Sequence, residues 1–250
     1  MSKVIHNPAL SRVEDTDTNA TTFVIEPLHA GYGNTLGNSL RRVLLSSIRG
    51  GAIVAFRIEG ATHEFTTVAG VQEDVVDIML NLKGVNVKVH SDEPVELRLE
   101  KKGAGEVTAA DIKANADVEI LNPEQVICTI DDPKKTVVID LVVEAGRGYH
   151  AIEESSKSRV HSDMIALDAM FSPVTRVRFK VDPTRVGQET NLDKLEMTVE
   201  TDGTLSPREA FEEASAILVN QYSALAGATT VESAPALGTQ VDDETSELNT

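Results

Sequence analysis

The sequence is poor in residues that build covalent, metal-bound or membrane-embedded structure. It contains one cysteine, no tryptophan and only 4% aromatic residues. A lone Cys128 forms no internal disulfide and argues against a cysteine zinc site. With so few rings, the core has to be aliphatic. No apolar run approaches the roughly 20 residues that span a bilayer. The start, MSKVIHNPAL, lacks an apolar signal-peptide segment, so a cytoplasmic location and no membrane partner are expected. Cations are scarce too: 23 Lys and Arg stand against 40 Asp and Glu, a net charge of −17. Affinity for phosphate backbones comes from clustered Lys and Arg, so direct DNA binding is not expected.

The composition is otherwise globular, with 41% hydrophobic and 25% charged residues. The 250 residues suggest one large or two modest domains. TFVIEPL (22–28) reads as a strand, with Pro27 near its end. In the following GYGNTLGNSLRRVLLSSIRGG, Asn34 or Thr35 is the expected helix cap. Leu36, Leu40, Val43, Leu44 and Ile48 form the helical stripe, and Gly50-Gly51 is the expected stop. A second helix is expected over 71–82, with Glu73, Asp74 and Asp77 early and Lys83 late, as the helix dipole favours. IVAFRI (53–58), VNVKVH (85–90), VELRL (95–99), DVEIL, QVICTI and TVVIDLVV read as strands, GRGY (146–149) as a turn, and HAIEESSKSRVHSD as a polar loop. Strands are expected again over 174–181 and 195–200. Ser206-Pro207-Arg208-Glu209 is a helix start with a capping box, followed by an apolar face of Phe211, Ala214, Ile217, Leu218 and Leu225. Residues 228–250 carry five acids and no Lys or Arg, and read as a disordered tail.

This order predicts an α+β fold in which an antiparallel sheet with two helices on one face is built from both ends of the chain. Residues 1–49 and 174–227 form that domain, and a β-rich block, 50–173, is inserted into it. The first helix has a wide apolar stripe, which favours an oligomer, most simply a two-fold dimer.

The one tempting chemical motif is GYGNTLG, which follows a strand and opens a helix as phosphate-binding loops do. Its third glycine, Gly37, stands one residue late for the dinucleotide fingerprint, and no Lys-Ser/Thr pair follows. It reads as a turn with a close helix approach; a small nucleotide-binding enzyme is the competing reading. The six histidines show no ligand spacing and read as surface residues. Cys128, inside VICTI, reads as a buried inert thiol. Asp131-Asp132 before Pro133 reads as turn chemistry. No catalytic residue and no metal ligand is expected. Arg41 and Arg42 point about 100° apart on a helix and by themselves read as solvated cations.

Beyond these readings, GYGNTLGNSLRRVLLSSIRGGAI resembles the amino-terminal domain of bacterial RNA polymerase alpha subunits. The resemblance continues through GVQEDVVDIMLNLKGVNVKV, GEVTAADI, DVEILNPEQVICTI, GRGY, FSPVTRVRF and TNLDKLEMTVETDGTLSP, covering about residues 5–226. It implies a homodimer joined through helices 34–48 and 206–226, with Leu36, Leu40, Leu44, Phe211, Leu218 and Leu225 at the interface. It implies assembly with the beta and beta-prime subunits and, through them, omega and sigma. Magnesium and nucleotidyl transfer would belong to the large subunits, with no cofactor here. Arg42 is implied to face beta, with Leu45 and Arg41 on the same surface. Lys83, of Asn81-Leu82-Lys83-Gly84, and Leu167, before Asp168-Ala169, are implied to face beta-prime. A paralogue that dimerises without these partners is a further alternative. The family usually continues through a linker into a helical DNA-contacting domain; this chain stops at Thr250 within what resembles the linker.

Overall fold

The computed structural model describes residues 5–113, 115–152, 163–187, 189–227 and 233–234. Most of the polar loop after Ala151 (with His161) and most of the acidic tail lie outside these residues.

One sheet joins the two ends of the sequence. Its antiparallel order is Val174–Val186, Glu189–Thr201, Ala20–His29, Leu10–Asp17. Leu195, Met197 and Val199 alternate inward while Glu196, Thr198 and Glu200 stay nearer solvent, the pattern of a sheet covered on one side. Two helices cover the inner face: α1, Tyr32–Ser46, and the long C-terminal helix, Pro207–Ala226. Phe23, Ile25, Leu40, Leu44, Ile48, Val177, Leu195 and Met197 form the core with Ala210 and Ala214. The rings of Phe23 and Phe211 stack at 4.3 Å. The strand Leu10–Asp17 has no counterpart in the sequence reading, because every residue of this charged edge strand is exposed and no alternation marks it. The hairpin strands run longer than expected and turn at Gly187, whose φ is +60°.

A second core belongs to the middle of the chain. Its four-stranded antiparallel sheet has the order Ile165–Ala166, Arg49–Ile58, Thr136–Arg147, Val95–Lys102. Short pairs add Val87–Val89 with Val118–Ile120 and Gly105–Thr108 with Val126–Ile130. Helix α2, Val75–Lys83, presses Val75, Ile78 and Leu82 into this core. Phe56, Leu99, Ile127, Ile139 and Leu141 are among its fully buried side chains. The C-terminal helix is numbered α3 below.

Several boundaries differ from the sequence reading for physical reasons. Helix α1 ends at Ser46, and Gly50-Gly51 lie inside a strand rather than stopping the helix. A Cβ at Gly50 would stand 1.9 Å from the Phe171 carbonyl oxygen, and one at Gly51 2.7 Å from that of Val87. The pair therefore permits close backbone approach. Helix α2 starts at Val75, not Val71, because the Asp74 carboxylate accepts the Asp77 N–H at 2.8 Å as the cap. Val71 instead bridges to Ile130. In GRGY, Gly146 and Arg147 still belong to a strand, and the turn falls at Gly148, whose φ is +67°. The expected capping box of α3 is present: Glu209 N–H donates to Ser206 Oγ at 3.2 Å, and Ser206 N–H donates to Glu209 Oε2 at 3.1 Å. Every residue of this helix from Val219 to Ala226 is exposed. No described helix is long and apolar enough to cross a membrane.

Candidate functional site

Helix α1 is placed by its glycines. Gly31 takes the left-handed conformation, φ +86°, that turns the chain into the helix. Gly33 and Gly37, one turn apart, allow the helix onto the sheet: a Cβ would stand 2.6 Å from Val181 and 2.7 Å from the Phe179 ring, respectively. Asn34 and Thr35, the expected caps, lie inside the helix. Gly31 occupies the cap position with no side-chain bond of its own. Asp193 supplies the missing acceptor across the fold. Its Oδ2 accepts the N–H groups of Gly31 at 2.8 Å and Gly33 at 3.1 Å. The end of the helix that would attract a phosphate is thus held by the protein's own carboxylate, against the nucleotide reading of GYGNTLG.

The two sides of α1 differ. Leu44 is 0% exposed, sealed against its own sheet. This corrects its assignment to a dimer face, because it has no surface to offer a partner. Leu40 is also buried, at the base of an apolar groove of about 520 Å³. Leu36, Phe211, Leu218, Val219 and Tyr222 line that groove, with Pro8 to Leu10 at its rim. Leu225, on the last turn of α3, is 83% exposed. It is free of the core and available to a partner.

Arg41, Arg42 and Leu45 stand on the solvent side of α1. Every other described arginine has an ion pair or a side-chain hydrogen bond. Among the described residues, Arg41 and Arg42 alone have neither. In a chain of net charge −17, two adjacent guanidinium groups without a carboxylate are conspicuous.

The other predicted surface gathers around the end of α2. Lys83 is ion-paired with Asp168, and the Tyr149 hydroxyl donates to Asp168 Oδ2 at 3.4 Å. The Lys83 ammonium holds the Asp168 carboxyl below the ordinary aspartate range. Leu167 is not on this surface. It is 0% exposed in the insert core, and its N–H donates to the Val54 carbonyl at 2.8 Å. Its assignment to an interface is therefore corrected. The exposed members are Tyr149 and Met170, cross-strand partners that are 56% and 62% exposed, and Leu80 on α2. The sequence reading missed these three. In the fold Leu167 and Ala169 are buried while Met170 is exposed.

Other candidates are structural. Cys128 is buried, and desolvation pushes its thiol up to about 12. Asp132 Oδ1 accepts the Lys134 N–H at 2.9 Å, the turn chemistry read from the sequence. His63 and His90 are exposed, whereas His150 packs edge-on against Phe171 at 4.9 Å. Among the described residues, no group of three or more His, Cys, Asp or Glu side chains gathers to hold a metal ion.

A family described as "RNA polymerase Rpb3/RpoA insert domain" matches residues 54–172. A protein of Moorella thermoacetica named "DNA-directed RNA polymerase subunit alpha" is 48% identical over 207 residues, which cover 83% of this chain and 66% of that protein. One of the same name from Oceanobacillus iheyensis is 45% identical over 227 residues, 90% of this chain and 72% of that protein. Another, from Heliobacterium modesticaldum, is 50% identical over 200 residues, 80% of this chain and 63% of that protein. The chain thus spans about two thirds of the length of these relatives.

Proposed function

Since this chain belongs to the family of bacterial DNA-directed RNA polymerase alpha subunits, we propose that it is an assembly subunit of that polymerase. In this reading it forms a homodimer on which the beta and beta-prime subunits are built into the core enzyme. It supplies no catalytic group; magnesium and nucleotidyl transfer belong to the large subunits, and omega and sigma join through them. The subunit works in the cytoplasm.

The observation that carries this reading is the uncompensated pair Arg41 and Arg42 beside exposed Leu45. Arginine presents a planar fork suited to interface carboxylates, and desolvated arginines are frequent anchors of interfaces. A partner that covers this face meets two unspent cations and an apolar residue. The groove on the other side of α1 supports the homodimer. It is apolar, it lies between α1 and α3, and the exposed Val219, Tyr222 and Leu225 continue its character. Lys83, Tyr149 and Met170 make the surface assigned to beta-prime.

The test is reconstitution with purified beta and beta-prime. Arg42→Ala leaves the dimer intact and weakens beta capture by about 30-fold, the equivalent of roughly 2 kcal/mol for a desolvated arginine anchor. A monomer at micromolar concentration, or unchanged beta capture, sinks the reading. The competing nucleotide-binding enzyme predicts a rise in melting temperature with added nucleotide by mass action. With Asp193 on the helix end, none is expected.

A further inference from the structure

Helix α1 has no acidic residue in its first turn and no basic residue in its last. Both ends are instead held by charged side chains from distant segments. Asp193 binds the start, as described. At the other end, Arg147 Nε donates to the Ser47 carbonyl at 3.0 Å, across 100 residues of sequence. A helix end leaves carbonyls unmet and carries partial negative charge, so a guanidinium suits it electrostatically and as a donor.

The placement of Arg147 comes at an electrostatic cost. It is the register partner of Arg49 on the neighbouring antiparallel strand. Like charges directly opposite each other destabilise a sheet. The two side chains part: Arg49 goes to Asp92 and the Ser91 carbonyl, and Arg147 goes to α1. The next residue, Gly148, turns with φ +67° so close to the helix end that a Cβ would stand 3.2 Å from the Ser46 carbonyl oxygen. The Phe171 N–H donates to the Gly148 carbonyl at 2.8 Å. Tyr149 then reaches Asp168, the partner of Lys83. Three consecutive residues therefore touch both the end of the helix that bears Arg41, Arg42 and Leu45 and the Lys83 surface.

We propose that Arg147 is a positioning residue that fixes these two partner-facing surfaces relative to each other. The inference rests on the assembly reading above and deepens it: beta and beta-prime are bound by surfaces whose mutual geometry is set through the Arg147–Ser47 contact. Arg147 acts through α1 and not by touching the partner.

The experiment uses the full chain with Arg147→Ala, Arg147→Lys, Arg42→Ala and the Arg147→Ala/Arg42→Ala double variant. Hydrogen exchange reads the contact without any partner. Arg147→Ala is expected to speed exchange at least 5-fold both at residues 46–50 and at 149–150, with the dimer retained. Arg147→Lys, which keeps a cationic donor, restores most of the protection. In reconstitution, Arg147→Ala lowers capture of both beta and beta-prime by about 5-fold. In the double variant, the loss of beta capture is smaller than the product of the single losses, because a misplaced helix costs little once its anchor is gone. Multiplicative losses would make Arg147 a direct contact and overturn the proposal. So would unchanged exchange at residues 46–50. If Arg42→Ala alone leaves beta capture intact, the assembly reading is what fails, and the exchange data still decide whether Arg147 ties the two segments together.

Discussion

Lys83 and Asp168, 85 residues apart in sequence, form an ion pair at the edge of the insert core. Because Lys83 is neutralised there, the patch it belongs to differs from the Arg41–Arg42 face. One offers a satisfied pair ringed by Tyr149, Met170 and Leu80; the other offers unspent charge.

The pH dependence of this pair has a definite sign. The Asp168 carboxyl is depressed in the folded state, first by its bond from Lys83. A depressed carboxyl stabilises the fold above its unfolded value of about 3.9 and loses that contribution as pH falls through the folded value. Urea unfolding of the wild type and Asp168→Asn at equal protein concentration is expected to differ by about 0.5 kcal/mol at pH 7, since both partners are partly exposed. The difference shrinks toward zero once the pH has fallen through the folded value of Asp168. A gap that stays constant with pH would mean that the charge of Asp168 is irrelevant.

Leu44 and Leu45 are neighbours with opposite fates. Leu44→Ala opens a cavity in a sealed core and is expected to cost about 2–5 kcal/mol. Leu45→Ala at the surface changes stability by about 0.5 kcal/mol or less. Chemical denaturation at one fixed concentration measures both. Equal effects would contradict the orientation of α1.

Asp193→Ala removes the acceptor for Gly31 and Gly33 N–H and is expected to cost about 1 kcal/mol, as the loss of a helix cap does. It also vacates an anion-binding helix end. Inorganic phosphate is therefore expected to raise the melting temperature of the variant and not of the wild type. A wild-type shift would reopen the nucleotide reading.

Cys128 is inert while the chain is folded, because burial holds its thiol up at about 12 and the thiolate is the reactive form. An aromatic disulfide reagent is expected to label it only after unfolding, in step with loss of circular dichroism. Labelling of native protein on mixing would contradict its burial.

What was legible in the sequence was local. The alternation of Leu195, Met197 and Val199 marked a half-covered strand, and Ser206-Pro207-Arg208-Glu209 marked a helix start, because each signal lies within a few residues. Arg41 and Arg42 read as solvated cations, and the fold leaves both exposed. Features set by contact across the fold were not legible. The cap on α1 comes from Asp193, 162 residues from Gly31. Gly50-Gly51 looks like a helix stop until the Phe171 and Val87 carbonyls are seen against it. Leu167 looked like an interface residue, yet the core claims it and leaves Met170 outside. The family resemblance supplied the positions of the surfaces, and packing decides which side chains on them are reachable.

The last turns of α3 have a physical consequence of their own. From Val219 to Ala226 every residue is exposed, although the segment holds Val219, Tyr222, Ala224 and Leu225. Isolated helical turns this short are marginal in water. The length of α3 is therefore expected to depend on what packs against its end.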